Sequence, residues 1–419
     1  MKTVILSKPL KNLAKNGTAQ HNPCRTQNSN PNTQKRSFSV FLKSLSLAFA
    51  LMLCPSVYAY PGYGSGTPSE LWESTQDGWA GPHAEIGQHL DSHKNYVMWT
   101  IVAPKIPLDL RKPDFFRQVL AQNKTDGISI SHNVVAWQCH VGNKTYRGAT
   151  GHSGESHNQS QEMVKLGWGL TTFLATFTDG WLTGGIHSGG MLRVRAEEEE
   201  TFTLVVEVKE NNCAQMLQFL KAFIFHPKKP VHNFGLTLDP EKFEGAGCIT
   251  MAKALLKKAG VFQEVFSASH RDLFASLYRF GGNDLPLPSH TKVPELKWRK
   301  EHPKKVRLGE FFSENWNASG PGIHLGLLDP ELLILGYKTL SSGLAGSPRV
   351  LKINQVNDCG GRSGRPCVIQ NLKIDKNLDA QAANIVAKAQ RWDRKMLRSG
   401  YSKEEFALGN GHPVILYSK

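Results

Sequence analysis

Apolar and polar positions along the chain change period several times, and each change predicts an element. Residues 94–104, "KNYVMWTIVAP", are a nearly unbroken apolar run closed by Pro104, which predicts a buried strand. Residues 127–150 read as two strands, "GISISHNVVAWQCHV" and "TYRGAT", around a turn at Gly142–Asn143–Lys144. Residues 201–208, "TFTLVVEV", alternate with period two behind a run of four glutamates. The period then lengthens. Met216, Leu217, Phe219, Leu220 and Phe223 define a helix over 213–226. Ile249, Met251, Ala252, Leu255, Leu256 and Ala259 define another over 248–260, closed by Gly260 with Lys257 and Lys258 in its last turn. Shorter patterns predict helices over 113–122 and 269–279, and a polar amphipathic helix over 376–398. Residues 60–92, rich in Gly, Ser and Pro, read as a lead-in with little structure.

Strands and helices together predict an α+β fold. Its core spans 93–282, a basic Pro-rich connector spans 283–309, and 310–419 forms a mixed accessory region. The 419 residues allow one large domain or two ordinary ones.

Charge alters this picture mainly at the start of the chain. Residues 1–59 hold eight Lys or Arg and no Asp or Glu, so removing them takes the formal net charge from +15 to +7. The stretch 35–59 has a basic start, an apolar run from Leu45 to Cys54, a helix-breaking Pro55, and Val57 and Ala59 at the −3 and −1 positions of a cleavage site. That order predicts a signal peptide over 1–59 with an extended basic segment, and a periplasmic or secreted product. Leu53 before Cys54 argues against lipidation there. No later apolar run reaches the length of a membrane span. The remaining basic excess suits an anionic surface such as cell-wall polymer. No phosphate-binding loop or dinucleotide fingerprint appears, and the basic stretch 297–307 lacks interleaved stacking aromatics apart from Trp298, so no specific nucleic acid is expected.

Export would leave five cysteines: Cys139, Cys213, Cys248, Cys359 and Cys367. Cys359 and Cys367 flank a Gly-rich loop that a disulfide would close, and Cys139 and Cys213 are available to pair. An odd number leaves at least one thiol outside any intramolecular disulfide, and Cys248 is the candidate.

Cys248 stands where "EGAG" becomes a helix. A thiol in a helical first turn meets unsatisfied N–H groups and the positive end of the dipole, so a lowered pKa is expected. The same N–H groups could hold an oxyanion. A thiol nucleophile needs a base, and His132 in "SISHNVVAWQC" is the choice among sixteen histidines. Strand alternation puts His132 on one face with Val134, Ala136 and Gln138, and Val135 and Trp137 on the other. The rival reading of Cys248 is a small buried hydrophobe.

"SHNVVAW…GNKTYRGATGHSG" and "GAGCITMAKALLKKAG" resemble the histidine strand and cysteine helix of permuted papain-like thiol hydrolases of the NlpC clan. There histidine precedes cysteine in the chain, as His132 precedes Cys248. The resemblance covers about 93–265. It implies an antiparallel sheet packed on a cysteine-bearing helix, and relatives of this order include cell-wall amidases or peptidases and lecithin-retinol-type acyltransferases. It also implies a third polar residue after the histidine strand that orients the imidazole. Thr145, Arg147, Thr150 and His152 are candidates, with His152 favoured.

The function expected is an exported cysteine hydrolase cleaving an amide or ester, with cell-wall peptide before lipid acyl groups as substrate. A non-enzymatic envelope binding protein on the same fold is the alternative. No cofactor or metal is expected. His140, His152, Glu155, His157 and His187 cluster in sequence, but none of their spacings matches a specific zinc pattern.

Overall fold

The computed structural model describes residues 66–76, 79–102, 132–154, 158–183, 201–282, 285–295, 304–312, 321–341, 376–408 and 412–419. Their strands are β1 (Tyr96–Val102), β2 (His132–Val141), β3 (Lys144–Ser153), β4 (Thr176–Phe177), β5 (Trp181–Thr183), β6 (Thr201–Glu207), β7 (His270–Ser276), β8 (Thr291–Lys292), β9 (Gly322–Leu328), β10 (Ser402–Ala407) and β11 (Pro413–Ser418). Their α-helices are α1 (Pro68–Gln76), α2 (Pro82–Gly87), α3 (Gln159–Leu166), α4 (Glu210–Ile224), α5 (Cys248–Lys258), α6 (Gln263–Ala268), α7 (Leu308–Phe311), α8 (Pro330–Leu340) and α9 (Lys376–Arg398).

The mixed α+β architecture centres on a seven-stranded sheet in the order β10-β11-β6-β1-β2-β3-β5. Neighbours are antiparallel except β11 and β6, which run parallel. β1 and β2 read as continuous apolar runs because both faces of the sheet are covered. On one face Val97, Trp99, Ile101, Val135, Trp137 and Cys139 pack against α4, α5 and α6. On the other, Met98, Val102, Val134 and Ala136 pack against Ile86 and Leu90. Burying each large apolar side chain is worth roughly 1.5–3 kcal/mol, so the two layers outweigh any single polar contact in the region.

Apolar burial on both faces fixes register weakly, because a one-residue slip exchanges one apolar set for another. Polar bonds break the tie. Gln138 Nε2 donates to the carbonyls of Asp91 and Lys94 at 2.8 and 3.1 Å. Cys139 and Cys213 form a disulfide with Cα atoms 5.7 Å apart, tying β2 to α4.

Three expectations need correction. Within 60–92, the described residues form α1 and α2, and Leu71 and Ile86 are core residues. Much of 269–279 is a strand: β7 pairs antiparallel with β9, so tertiary pairing overrides the local helical pattern. The described residues of 310–419, set apart in sequence as an accessory region, contribute to the main core. β11 extends the sheet beside β6, and Leu333, Tyr337, Ile385 and Trp392 join the layer around Trp99. Ser56–Lys419 accordingly forms one compact unit. The signal peptide expected over 1–59, the helix expected over 113–122 and the disulfide expected between Cys359 and Cys367 lie outside the described residues.

Candidate functional site

The site begins with the turn that delivers the thiol. Gly245 has φ +136°, in the region that favours glycine, and a Cβ there would lie 2.3 Å from the Asn233 carbonyl oxygen. The next residue is clamped against 233–235. Ala246 N donates to the Asn233 carbonyl at 3.0 Å, and Gly235 N donates to the Ala246 carbonyl at 3.1 Å. Gly247 then caps α5, its N–H donating to Thr250 Oγ1 at 2.7 Å. Cys248 is the first helical residue. Lys257 and Lys258 at the far end pair with Glu241 at 2.7 and 3.2 Å, favourably for the dipole.

Cys248 is a thiol with partial solvent contact. Burial nevertheless pushes it up to about 11. The backbone and side-chain N–H groups of Asn133 and the backbone N–H groups of Ile249 and of Cys248 itself act in the opposite direction without prevailing. The lowered value expected from the helix terminus is therefore overturned: desolvation outweighs the dipole and the donors.

Strand parity decides who meets this thiol. Residues 135, 137 and 139 face the helical layer, and Asn133 shares their parity. Its carboxamide is fully buried, and Oδ1 accepts from Trp99 Nε1 at 2.9 Å. His132 has the parity of Val134 and Ala136, which pack on the opposite face. It stands at the first position of β2, where it retains some solvent contact. Burial, and then the nearby His152, hold its imidazole down at about 4.

His152 is fully buried on β3. Its Nδ1 lies 2.8 Å from the Ala246 carbonyl oxygen and its Nε2 2.8 Å from that of Val231. A neutral ring donates to only one of these, whereas an imidazolium donates to both. Burial dominates and holds the ring at about 4, although both carbonyls favour the charged form. Phe234 stacks on the ring at 5.8 Å and Phe223 meets it edge-on at 6.1 Å. With both nitrogens engaged by carbonyls, His152 acts on the turn before Cys248 and reaches His132 electrostatically rather than as its orienting acceptor.

The other candidates for a third residue divide by position. Thr145 and Arg147 sit towards the distant end of β3, bonded to His140 and Gln138. Thr150 is buried, and its hydroxyl donates to the Gly151 carbonyl at 3.2 Å. Among the described residues no three His, Cys, Asp or Glu side chains converge as a metal site. Glu155, His157 and His187 lie outside them.

The structure thus gathers Cys248, Asn133 and His152 around one turn, with His132 beginning the strand that carries Asn133. Sequence reasoning missed Asn133. Its signal was parity: in "SHNVVAW", Asn133 and not His132 alternates with Val135 and Trp137. No family model, curated protein or solved structure matches the chain. No helix among the described residues is long and apolar enough to cross a membrane.

Proposed function

We propose that the protein is an exported cysteine hydrolase with a permuted papain-like core, in which Cys248 is the nucleophile and His132 the base, a role that requires the His132 ring to turn around the first position of β2 from the face its parity gives it. The observation that carries this reading is a partly accessible thiol at the start of α5, with backbone and side-chain donors directed at its sulfur. Such donors serve an anion: the thiolate, and the oxyanion that follows attack. The disulfide and the basic excess suit an oxidising compartment and an anionic surface, so cell-wall peptide is the first-choice substrate and a lipid acyl ester the second.

A thiol near 11 and an imidazole near 4 make a neutral resting pair. Proton transfer then accompanies attack. The Cys248 sulfur bonds to the carbonyl carbon as its proton passes to His132, and the carbonyl π pair moves to oxygen. Collapse breaks the bond to the amine or alcohol, which leaves with the proton from the imidazolium. Water attacks the acyl-enzyme, gives its proton to His132, and the C–S bond breaks to restore the thiol.

The raised thiol also favours a second reading, an envelope binding module with a structural cysteine. Hydrolysis of cell-wall peptides and p-nitrophenyl esters by wild type, Cys248→Ala, His132→Ala and the double variant separates the two. The hydrolase reading expects each single variant to lose nearly all activity and the double variant to lose little more, because both losses disable one step. Full activity in Cys248→Ala overturns it, and so does a wild type inactive on every substrate.

A further inference from the structure

We infer that Asn133 is a further catalytic residue at this site: its carboxamide N–H donates to the anion formed at Cys248, and Trp99 positions it by holding the carboxamide oxygen. The inference rests on the hydrolase reading above and adds a residue that reading does not use.

Four observations carry it. Asn133 is fully buried, in a place where an unsatisfied amide is costly. Trp99 Nε1 donates to Oδ1 at 2.9 Å, and an indole N–H can only donate, so the carboxamide orientation is set with Nδ2 turned away from Trp99. Trp99 is itself immobilised, fully buried between Phe262 and Phe266 at 5.5 and 4.8 Å. Finally, Nδ2 has no conventional hydrogen-bond partner, and the group on which it bears is the Cys248 sulfur.

A buried N–H without an acceptor, locked by a rigid indole on the face of β2 that the Cys248 helix covers, is poorly used in the resting protein. It is well used once negative charge appears beside it. In acyl transfer negative charge develops as the sulfur gives up its proton and comes to rest on the carbonyl oxygen, and a donor beside the reacting sulfur lies beside that oxygen as well. The backbone N–H groups of Asn133, Ile249 and Cys248 complete a four-donor arrangement. The donors belong to two elements, β2 and α5, and the buried layer between them fixes their separation. No reorganisation is then needed as the charge forms, and this is the condition under which such donors are most effective.

The test compares the full-length wild-type protein with Asn133→Leu, which keeps the size and deletes the donor, and Trp99→Phe, which keeps Asn133 and releases its orientation. Two measurements are made. The first is hydrolysis of a p-nitrophenyl ester. Asn133→Leu should lower kcat by roughly 100- to 1000-fold with KM changed only a few-fold, the loss expected for one oxyanion donor. Trp99→Phe should show a smaller loss in the same quantity. The second is alkylation by iodoacetamide at pH 9, located at Cys248 by peptide mapping. It should slow about tenfold in Asn133→Leu, corresponding to a thiol pKa higher by about one unit. Wild-type kcat and alkylation in both variants overturn the inference. If Asn133→Leu fails to fold, Trp99→Phe decides by the same criteria. If wild type alkylates but hydrolyses neither the ester nor cell-wall peptide, the hydrolase reading fails. The alkylation rates then decide Asn133 alone: slower labelling keeps it as an anion donor, and equal rates overturn it.

Discussion

The Cys248 thiol shows how a local rule is outweighed by its surroundings. A helix terminus and several donors favour the thiolate, but packing around the sulfur removes more solvation than they return, and the thiol is pushed up to about 11. Most of it is therefore neutral at pH 7. Iodoacetamide labelling of Cys248 should keep accelerating as pH rises through 8.5, without a plateau before about 10. A plateau at pH 7–8 would mean that the donors prevail. His152 is the companion case. Both its nitrogens face carbonyls, an arrangement an imidazolium would satisfy, yet burial keeps the ring neutral.

The elements around the site depend on two devices. One is the turn 245–247. Gly245→Ala would place a Cβ 2.3 Å from the Asn233 carbonyl oxygen, at a positive φ that side chains rarely adopt. It should cost about 2 kcal/mol or more in urea unfolding and slow Cys248 labelling by displacing the start of α5. An unchanged unfolding midpoint would show that the turn can relax. The other is the disulfide between β2 and α4, whose cysteines are 74 residues apart in sequence. A closed loop of that size constrains the unfolded chain by about 4 kcal/mol. The pair Cys139→Ala and Cys213→Ala should lower the melting temperature of the oxidised protein and make it insensitive to reductant. A melting temperature unaffected in both respects would refute that contribution.

Across the whole molecule, buried neutral histidines set the response to acid. His83 and His412 are fully buried and joined by hydroxyls, with His83 Nε2 3.0 Å from Thr100 Oγ1, Thr100 Oγ1 2.7 Å from Thr203 Oγ1, and Thr203 Oγ1 2.7 Å from His412 Nε2. Burial holds His83 at about 3, helped by His412, and His412 at about 4. Unfolding returns both to about 6.5, so below that pH the unfolded chain binds more protons. Stability is complete above about 6.5 and falls as pH drops towards 4, by on the order of 2 kcal/mol per ring at pH 5. Urea unfolding at pH 7.5 and pH 5 should show the loss, and His412→Asn should reduce the difference. Equal stability at both pH values would contradict the buried neutral state.

Much of this was legible in the sequence because it is local. The apolar run of Tyr96–Val102, the paired strands around Gly142, the 3.6-residue period of 213–226 and of 248–260, and the amphipathic stretch 376–398 all state their own period and their own ends. The position of Cys248 at a helix start follows from the same patterns. What the tertiary structure alone decided is non-local. β7 became a strand through a partner some fifty residues away, β9. β11 joined β6 across about two hundred residues. The pairing of Cys139 with Cys213 needed the meeting of a strand and a helix. Above all, the partners of Cys248 depended on which face of β2 the helices cover. Alternation divides His132 from Asn133 whatever the fold, but with apolar residues on both sides it cannot say which side holds the thiol. Only the packing of α4 and α5 against Val135 and Trp137 assigns that face to Asn133.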